Sequence, residues 1–474
     1  RSLKLEVDGR EFGSFTRGLH SGNASFYVKN LPSSVKPGKH KLRGTAEYQN
    51  GEKFVTEAEV LVDSTCRPTL PPQAPRGFIA FQGKGFRYRD YRIAKDGVRG
   101  EFSVEVQEKD HPFQAGDIVV LRALETPARR AVTGNACNWG NFRSTHLFVE
   151  KVEGSKLTFH QPLRLDYPVA DLSFVRKFDI VRGGRIEGMT LETRFDYWLS
   201  SVTFEYAADC VAKDLKVIRC GRNPVYGTHA KFCSILNCEF DGSWFNGGGG
   251  TAYVGWDTCS DSLIDGVVSY RMRHAPVVQW GASGNVIRNS RFYHCDAQWH
   301  AGWSTENLFE NCTIVSDTRE FGGYGNIFWA SSPEDGAHGP NGPRNVVYNC
   351  DGSSISDGVF LGGMNENWIF AWNRLRVKKG VGFFLKTSSF DHILLGNTVI
   401  LEDKNSPFLL FATPDCGGVE LLGNTFSGGN GKLYSGLHKP FLEKGNRIIP
   451  LNTALPRPQP AVPSIYEWQL KHKR

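Results

Sequence analysis

The densest collection of residues able to do chemistry lies between Arg271 and Arg344. Arg273 and His274 stand together in RMRHAP, and Asp296 and His300 follow in RFYHCDAQWH, after His294. Arg319, Glu320 and Tyr324 come next in TREFGGYG, then Glu334, Asp335 and His338 in SPEDGAHGP. Two kinds of proton chemistry suit this mixture. An imidazole or a phenol can take a carbon-bound proton that a neighbouring cation has acidified, which is elimination. Here His300 or His274 is the base, Arg273 and Arg319 supply positive charge, and Tyr324 protonates the leaving oxygen. Alternatively, two carboxylates can flank the bond that breaks, about 5–5.5 Å apart for retention and about 6.5–9.5 Å for inversion. The candidates for that pair are Asp296, Glu306, Asp317, Glu320, Glu334 and Asp335. A single histidine more often has a satisfied structural role than a catalytic one. The concentration of imidazole, guanidinium and phenol argues for a site and favours elimination over hydrolysis.

Aromatic residues accompany the cluster. Trp256, Trp280 and Trp303 each precede a recurring Asn or Asp by nearly the same interval, and His229 holds the equivalent place before Asn237. This spacing predicts one column of four rings on neighbouring structural units. Such a column suits the apolar faces of ring-shaped ligands, or else an internal aromatic stack. Arg273, His338, Glu320 and Asp335 are the remaining candidates for binding.

The elements that must position these residues are short repeats. NVIRNS, Asn285–Ser290, returns as NLFENC, Asn307–Cys312. From Arg185 onward an Asn or Asp recurs after a short apolar run, at Asp214, Asn237, Asp265, Asn289, Asn311, Asn349, Asn373, Asn397 and Asn424. Repeats of roughly 20–50 residues mark solenoids. Short alternating strands, glycine turns and no helical periodicity make this one a parallel β-helix. An Asn at the same corner of every coil can bond its neighbours in a column along the axis. The count predicts about ten coils, hence a solenoid of roughly 50 Å. The strand before each corner is polar and aromatic in the middle coils and largely apolar in the last three, GVFLGG, GFFLKT and PFLLFAT. That places the chemistry in the middle and makes the C-terminal coils scaffold. The interval from Asn311 to Asn349 is the longest, so an insertion there builds a binding wall.

The rest of the 474 residues divide around this core. Residues 1–64 alternate as strands, among them ASFYVKNL and KFVTEAEVLVD, with turns at Asp8–Gly9, Pro37–Gly38 and Asn50–Gly51, and read as a small β-sandwich. Residues 65–75 hold a proline-rich linker. Residues 76–185 are β-rich without repeating and read as the cap of the solenoid plus an inserted β element; the loop ACNWGNFR, Ala136–Arg143, could reach over a groove. Residues 186–445 are the β-helix, and 446–474 a tail packed on it. The fold class is therefore all-β.

Composition narrows function further. A net charge of +7 is mild for this length and admits an acidic partner. Lys and Arg are scattered, which speaks against nucleic acid. No run of about 18 apolar residues exists, so no membrane span is expected. The 11 cysteines lack CxxC spacing and read as small core residues rather than metal ligands. No cofactor is required by these residues. Calcium stays open, since no Asp/Glu run has a ligand spacing. Arg1 begins on a strand-like pattern without an initiator Met or a signal peptide, which suits a mature secreted or periplasmic protein, expected to be a monomer.

The coil repeat resembles the right-handed parallel β-helix superfamily called pectin-lyase-like, over about residues 76–445. That superfamily includes polysaccharide lyases, glycoside hydrolases and phage tailspikes. GKHKLRGTAEYQNGEKFVTEAEVLV resembles immunoglobulin-like modules of secreted bacterial enzymes. The resemblance implies a polysaccharide as partner, and the mild positive charge with the His, Arg and Tyr cluster makes an anionic one, uronate-containing or sulfated, the expectation. It leaves three activities open: lyase, hydrolase acting through a carboxylate pair, and glycan-binding adhesin without turnover. The paired-Asp and GHG signatures of polygalacturonases are missing; His338 lies in AHGP instead.

Overall fold

The structure, a computed structural model, describes residues 2–16, 35–36, 38–47, 50–62, 76–132, 143–194, 196–300, 302–331, 338, 340–451 and 460–472. The chain forms two compact units, Arg1–Arg76 and Gly77–Arg474. In the first, strands Arg10–Thr16, Ser2–Val7, Gly38–Glu47 and Lys53–Val62 lie in that order in one antiparallel sheet. The sandwich expected here thus shows one sheet among the described residues. ASFYVKNL and the proline-rich stretch lie outside them.

The second unit is a parallel β-helix with three long sheets. The front sheet has 12 strands, and the second and third sheets have 11 each. The solenoid therefore has about eleven coils, one more than the repeat count suggested. Its last coil runs to Arg447–Ile449, beyond residue 445. Side chains alternate across each strand. One set fills the interior, including Val202, Trp256, Val278, Trp299, Phe328 and Leu361. All nine described cysteines are buried and free, most of them in this interior column.

The asparagine pattern resolves into three columns rather than one. Asp214, Asn237, Asn289, Asn311 and Asn349 occupy one corner in the left-handed backbone region, where Gly188, Gly266, Gly396, Gly423 and Gly445 substitute. Asn tolerates this conformation better than most residues and glycine tolerates it best, which explains the exchange. Asp265 sits one residue earlier, beside Leu236 and Arg288. Asn373, Asn397 and Asn424 sit one residue later, inside the solenoid. There each amide bonds the next at 3.0 Å and ends on Asn446. A third column, Asn285, Asn307 and Asn345, bonds at 2.9 and 3.0 Å at another corner.

Residues between 91 and 177 form a six-stranded antiparallel sheet with its own core, while Gly77–Gln82 joins the front sheet beside Ser200–Ala208. This element is fastened to the solenoid by buried charge. Lys231 Nζ donates to the His146 carbonyl at 3.0 Å and to Gln161 Oε1 at 2.7 Å, and pairs with Asp261, which also holds Arg164. Burial pushes the Asp261 carboxyl up, but Arg164 and Lys231 outweigh it and hold it at about 2. At the other end of the chain, the helix Ile465–Lys471 packs across the second sheet. The buried Glu310 carboxylate accepts from Ser464 Oγ at 2.6 Å and from the Ile465 N–H at 2.8 Å.

Candidate functional site

Five strands of the front sheet bring the candidate residues together. Tyr253, His274 and Asp296 are register partners on consecutive coils, and all three are buried. The next outward row runs Gly255, Val277, Gln298, Trp329, Phe360, Phe384. Gln279 and His300 follow the paired Val278 and Trp299 and so adjoin each other.

His274 is the centre. Its Nδ1 donates to Asp296 Oδ1, while Asp296 Oδ2 accepts the Tyr324 N–H at 2.5 Å. With Nδ1 carrying the proton, Nε2 bears the lone pair, and it is buried without a partner among the described residues. Burial lowers the His274 pKa against the opposing pull of Asp296, and Arg273 and His338 lower it further. The imidazole is therefore neutral at pH 7 and able to accept a proton. Around it stand Tyr253, Tyr324 and His300, with ring centroids 5.2, 5.4 and 6.1 Å away. His300 Nε2 meets His338 Nε2 at 3.0 Å, and Trp280 stacks on His338 with planes 7° apart. Burial, then His338, His274 and Arg273, hold the His300 pKa well below its usual value.

Loops wall the site. Arg273 donates to the carbonyls of Gly247 and Gly322 and reaches Tyr324 Oη at 3.5 Å. It clips the Asn246–Gly250 loop to the Phe321–Gly325 loop. The two backbones meet so closely that a Cβ on Gly322 would lie 2.1 Å from the Asn246 oxygen. Arg273 is thus a clamp whose charge faces the histidines, not a free carboxylate receptor. Arg319 is exposed and donates Nε to the Tyr324 carbonyl at 3.0 Å, so it braces the same loop from behind.

Several expected site residues lie elsewhere. Trp256, Trp280, Trp303 and His229 do not share a column, because the interval placed them on different faces. Trp256 points inward and is fully buried. Trp303 is buried at a corner, where Nε1 donates to Glu125 at 3.1 Å and Arg129 and Arg143 stack over the ring. His229 stacks on Tyr206 and contacts Phe86 and His146 of the inserted element. Glu320 is exposed on the outer loop. Glu306 is held by Arg344 and Arg164, and Asp317 by His294. Glu334, Asp335 and all of ACNWGNFR but Arg143 lie outside the described residues.

Tyr253, Gln279, Gln298 and Trp329 belong to the site and were not singled out. Their signal was alternation: once Trp256, Val278 and Trp299 are known to point inward, residues at odd offsets from them on the same strands point outward. Trp329, Phe360 and Phe384 continue the outer row into the C-terminal coils as stacked rings with centroids 4.1 and 5.0 Å apart. Among the described residues, no three His, Cys, Asp or Glu side chains are placed to hold a metal ion. No helix among them is long and apolar enough to cross a membrane.

No protein-family model and no curated protein sequence matches the chain. Solved structures similar to it include the tailspike protein gp49 of Pseudomonas phage LKA1, at 14% identity and a TM-score of 0.45 over 78% of this chain and 64% of that one. The chain thus spans less than two thirds of that tailspike. The A-module of mannuronan C-5 epimerase AlgE6 from Azotobacter vinelandii is 12% identical, with a TM-score of 0.36 over 56% of this chain and 81% of the module. The catalytic domain of a GH87 α-1,3-glucanase in complex with nigerose is 9% identical, with a TM-score of 0.31 over 76% of this chain and 91% of the domain. The fold assignment rests on the strand registers above.

Proposed function

We propose that the chain is a carbohydrate-active β-helix protein that binds an anionic polysaccharide along its front sheet and cleaves it by β-elimination. The observation that carries this reading is His274: neutral, oriented by Asp296, with a lone pair on Nε2 and no partner for it among the described residues. A base oriented by a carboxylate is the arrangement that proton abstraction needs.

In this reading His274 Nε2 takes the proton on the carbon next to a uronate carboxylate. The electrons of that C–H bond form the new carbon–carbon double bond, and the glycosidic oxygen leaves with the pair from its broken bond. Tyr324 Oη, beside Arg273, protonates it. The Arg273 guanidinium, which already lowers the pKa of both histidines, supplies the positive field that stabilises the carbanionic carboxylate. His274 is fully enclosed, so in this reading the Phe321–Gly325 loop must release its bonds to Arg273, Arg319 and Asp296 to admit a sugar. The carboxylates proposed for hydrolysis support that alternative less: Asp296 is committed to His274, Glu306 to Arg344 and Arg164, and Asp317 to His294.

Separate substitutions test the roles. His274→Ala should lower kcat by about 10²–10⁴, with His300→Ala and Glu334→Ala smaller in effect. If Glu334→Ala abolishes turnover while His274→Ala retains it, hydrolysis is the reaction and His274 is not the base.

A further inference from the structure

The proton chemistry uses one edge of a longer polar surface. On the same strand as His274, Gln279 is 3% exposed. Its Nε2 donates to Tyr226 Oη and, at 3.3 Å, to Asp257 Oδ2. The Tyr226 hydroxyl in turn donates to Asp257 Oδ2 at 3.4 Å. An ionised Asp accepts only, so a reversed amide would set carbonyl against carboxylate. The amide direction is therefore fixed, and Gln279 Oε1 is left buried without a partner among the described residues. Gln298, fully buried between Asp296 and His300, also leaves its Oε1 without one, while its Nε2 reaches Ser331 Oγ at 3.5 Å. Two buried amides, each with a polar atom unpartnered among the described residues, thus flank His300 on the outer face of one sheet. A buried acceptor without a donor costs about 1–3 kcal/mol, so a ligand donor is the natural complement.

We infer that Gln279 and Gln298 form a hydroxyl-recognition subsite for the sugar ring next to the one that reacts. Asp257 and Tyr226 are positioning residues that hold the Gln279 carbonyl outward. The subsite takes rings with free hydroxyls and rejects rings O-acetylated there, because acetylation removes the donor and adds bulk. This rests on the polysaccharide reading of the front face.

The test is calorimetric binding to the full chain carrying His274→Ala, which holds the ligand without turning it over. The probes are oligosaccharides of alginate, polygalacturonate and hyaluronan, each native and chemically O-acetylated. Adding Gln279→Met should weaken binding of the native probe about 10- to 100-fold and leave the weaker acetylated one nearly unchanged. Asp257→Asn, which lets the amide reverse, should narrow the preference for native over acetylated probe; a merely structural loss would weaken both alike. Should Gln279→Met fail to fold, Gln298→Met and Asp257→Asn carry the same comparison. If a probe binds and these variants alter neither affinity nor acetyl preference, the subsite is wrong and the polysaccharide reading stands. If no probe binds and none is cleaved by the unsubstituted protein, both fall.

Discussion

Two stretches of the front sheet use their outer face in opposite ways. In the coils from Tyr253 to His300, Tyr253 Oη, His274 Nε2, Gln279 Oε1, Gln298 Oε1 and His300 Nδ1 are buried without partners among the described residues. From Phe328 onward the row that holds Gln298 carries Trp329, Phe360 and Phe384, stacked with planes 8° and 18° apart. The backbone registers are continuous between the two stretches. A repetitive scaffold thus separates along its axis a region that keeps polar groups unsatisfied from one that gains packing energy. The first sacrifices stability, at about 1–3 kcal/mol per unsatisfied group. The second contributes about 0.5–1.5 kcal/mol per aromatic pair beyond area burial.

The sharpest way to break this contrast is His274→Ala. It should cost about 10²–10⁴ in kcat, with a loss of stability, since the buried Asp296 Oδ1 loses its donor, that is offset in part by removal of an unsatisfied buried nitrogen. A large loss of stability with activity intact would make the middle coils ordinary scaffold. Acid titration comes next. His274, His146 and His392 all have pKa values lowered by burial, the last two to about 3. Below pH 6.5 the unfolded chain binds more protons than the folded one, so stability should fall as pH drops from about 6.5 toward 3. His392 lies in the apolar coils, bonded to the Trp368 N–H and to Ser389 Oγ. His392→Gln should therefore reduce that acid sensitivity without altering the pH profile of kcat/KM. The profile itself should stay flat through neutrality and decline only on the acid side, as His274 is protonated.

Packing variants give smaller effects. Asn397→Ala interrupts the internal amide column, leaving the Asn373 N–H without its side-chain acceptor and the Asn373 amide with the Val347 carbonyl alone. It should destabilise the fold by about 2–4 kcal/mol in denaturant titration. Phe360→Ala removes the middle ring of the half-buried stack and should cost about 1–3 kcal/mol with kcat unchanged. A drop in kcat for Phe360→Ala would extend the site into the C-terminal coils.

The fold was legible because a coil repeat is a local signal. Each Asn follows its own apolar run, and stacking multiplies the pattern. What escaped was phase. Asn349 and Asn373 look alike in sequence, yet Trp372 takes the corner on its coil and pushes Asn373 inside. The same one-residue ambiguity left Trp256 open between an outer and an inner ring, and it lies in the interior. His274, Asp296, His300, Tyr324 and His338 were recognisable as a group because their types are rare in a core. The neutral members, Tyr253, Gln279 and Gln298, were not, since only the face of the strand distinguishes them from structural residues. Arg273 was recognised as a source of positive charge but not as a clamp, because backbone carbonyls from two loops leave no trace in sequence.

The measurement closest to the central claim is the product formed from a panel of uronate-containing polysaccharides. Elimination leaves an unsaturated uronate at the new non-reducing end, which absorbs in the near ultraviolet. The expected result is a rise in that absorbance with at least one polymer, abolished by His274→Ala. New reducing ends without the chromophore, lost on substituting a carboxylate but not His274, would contradict it.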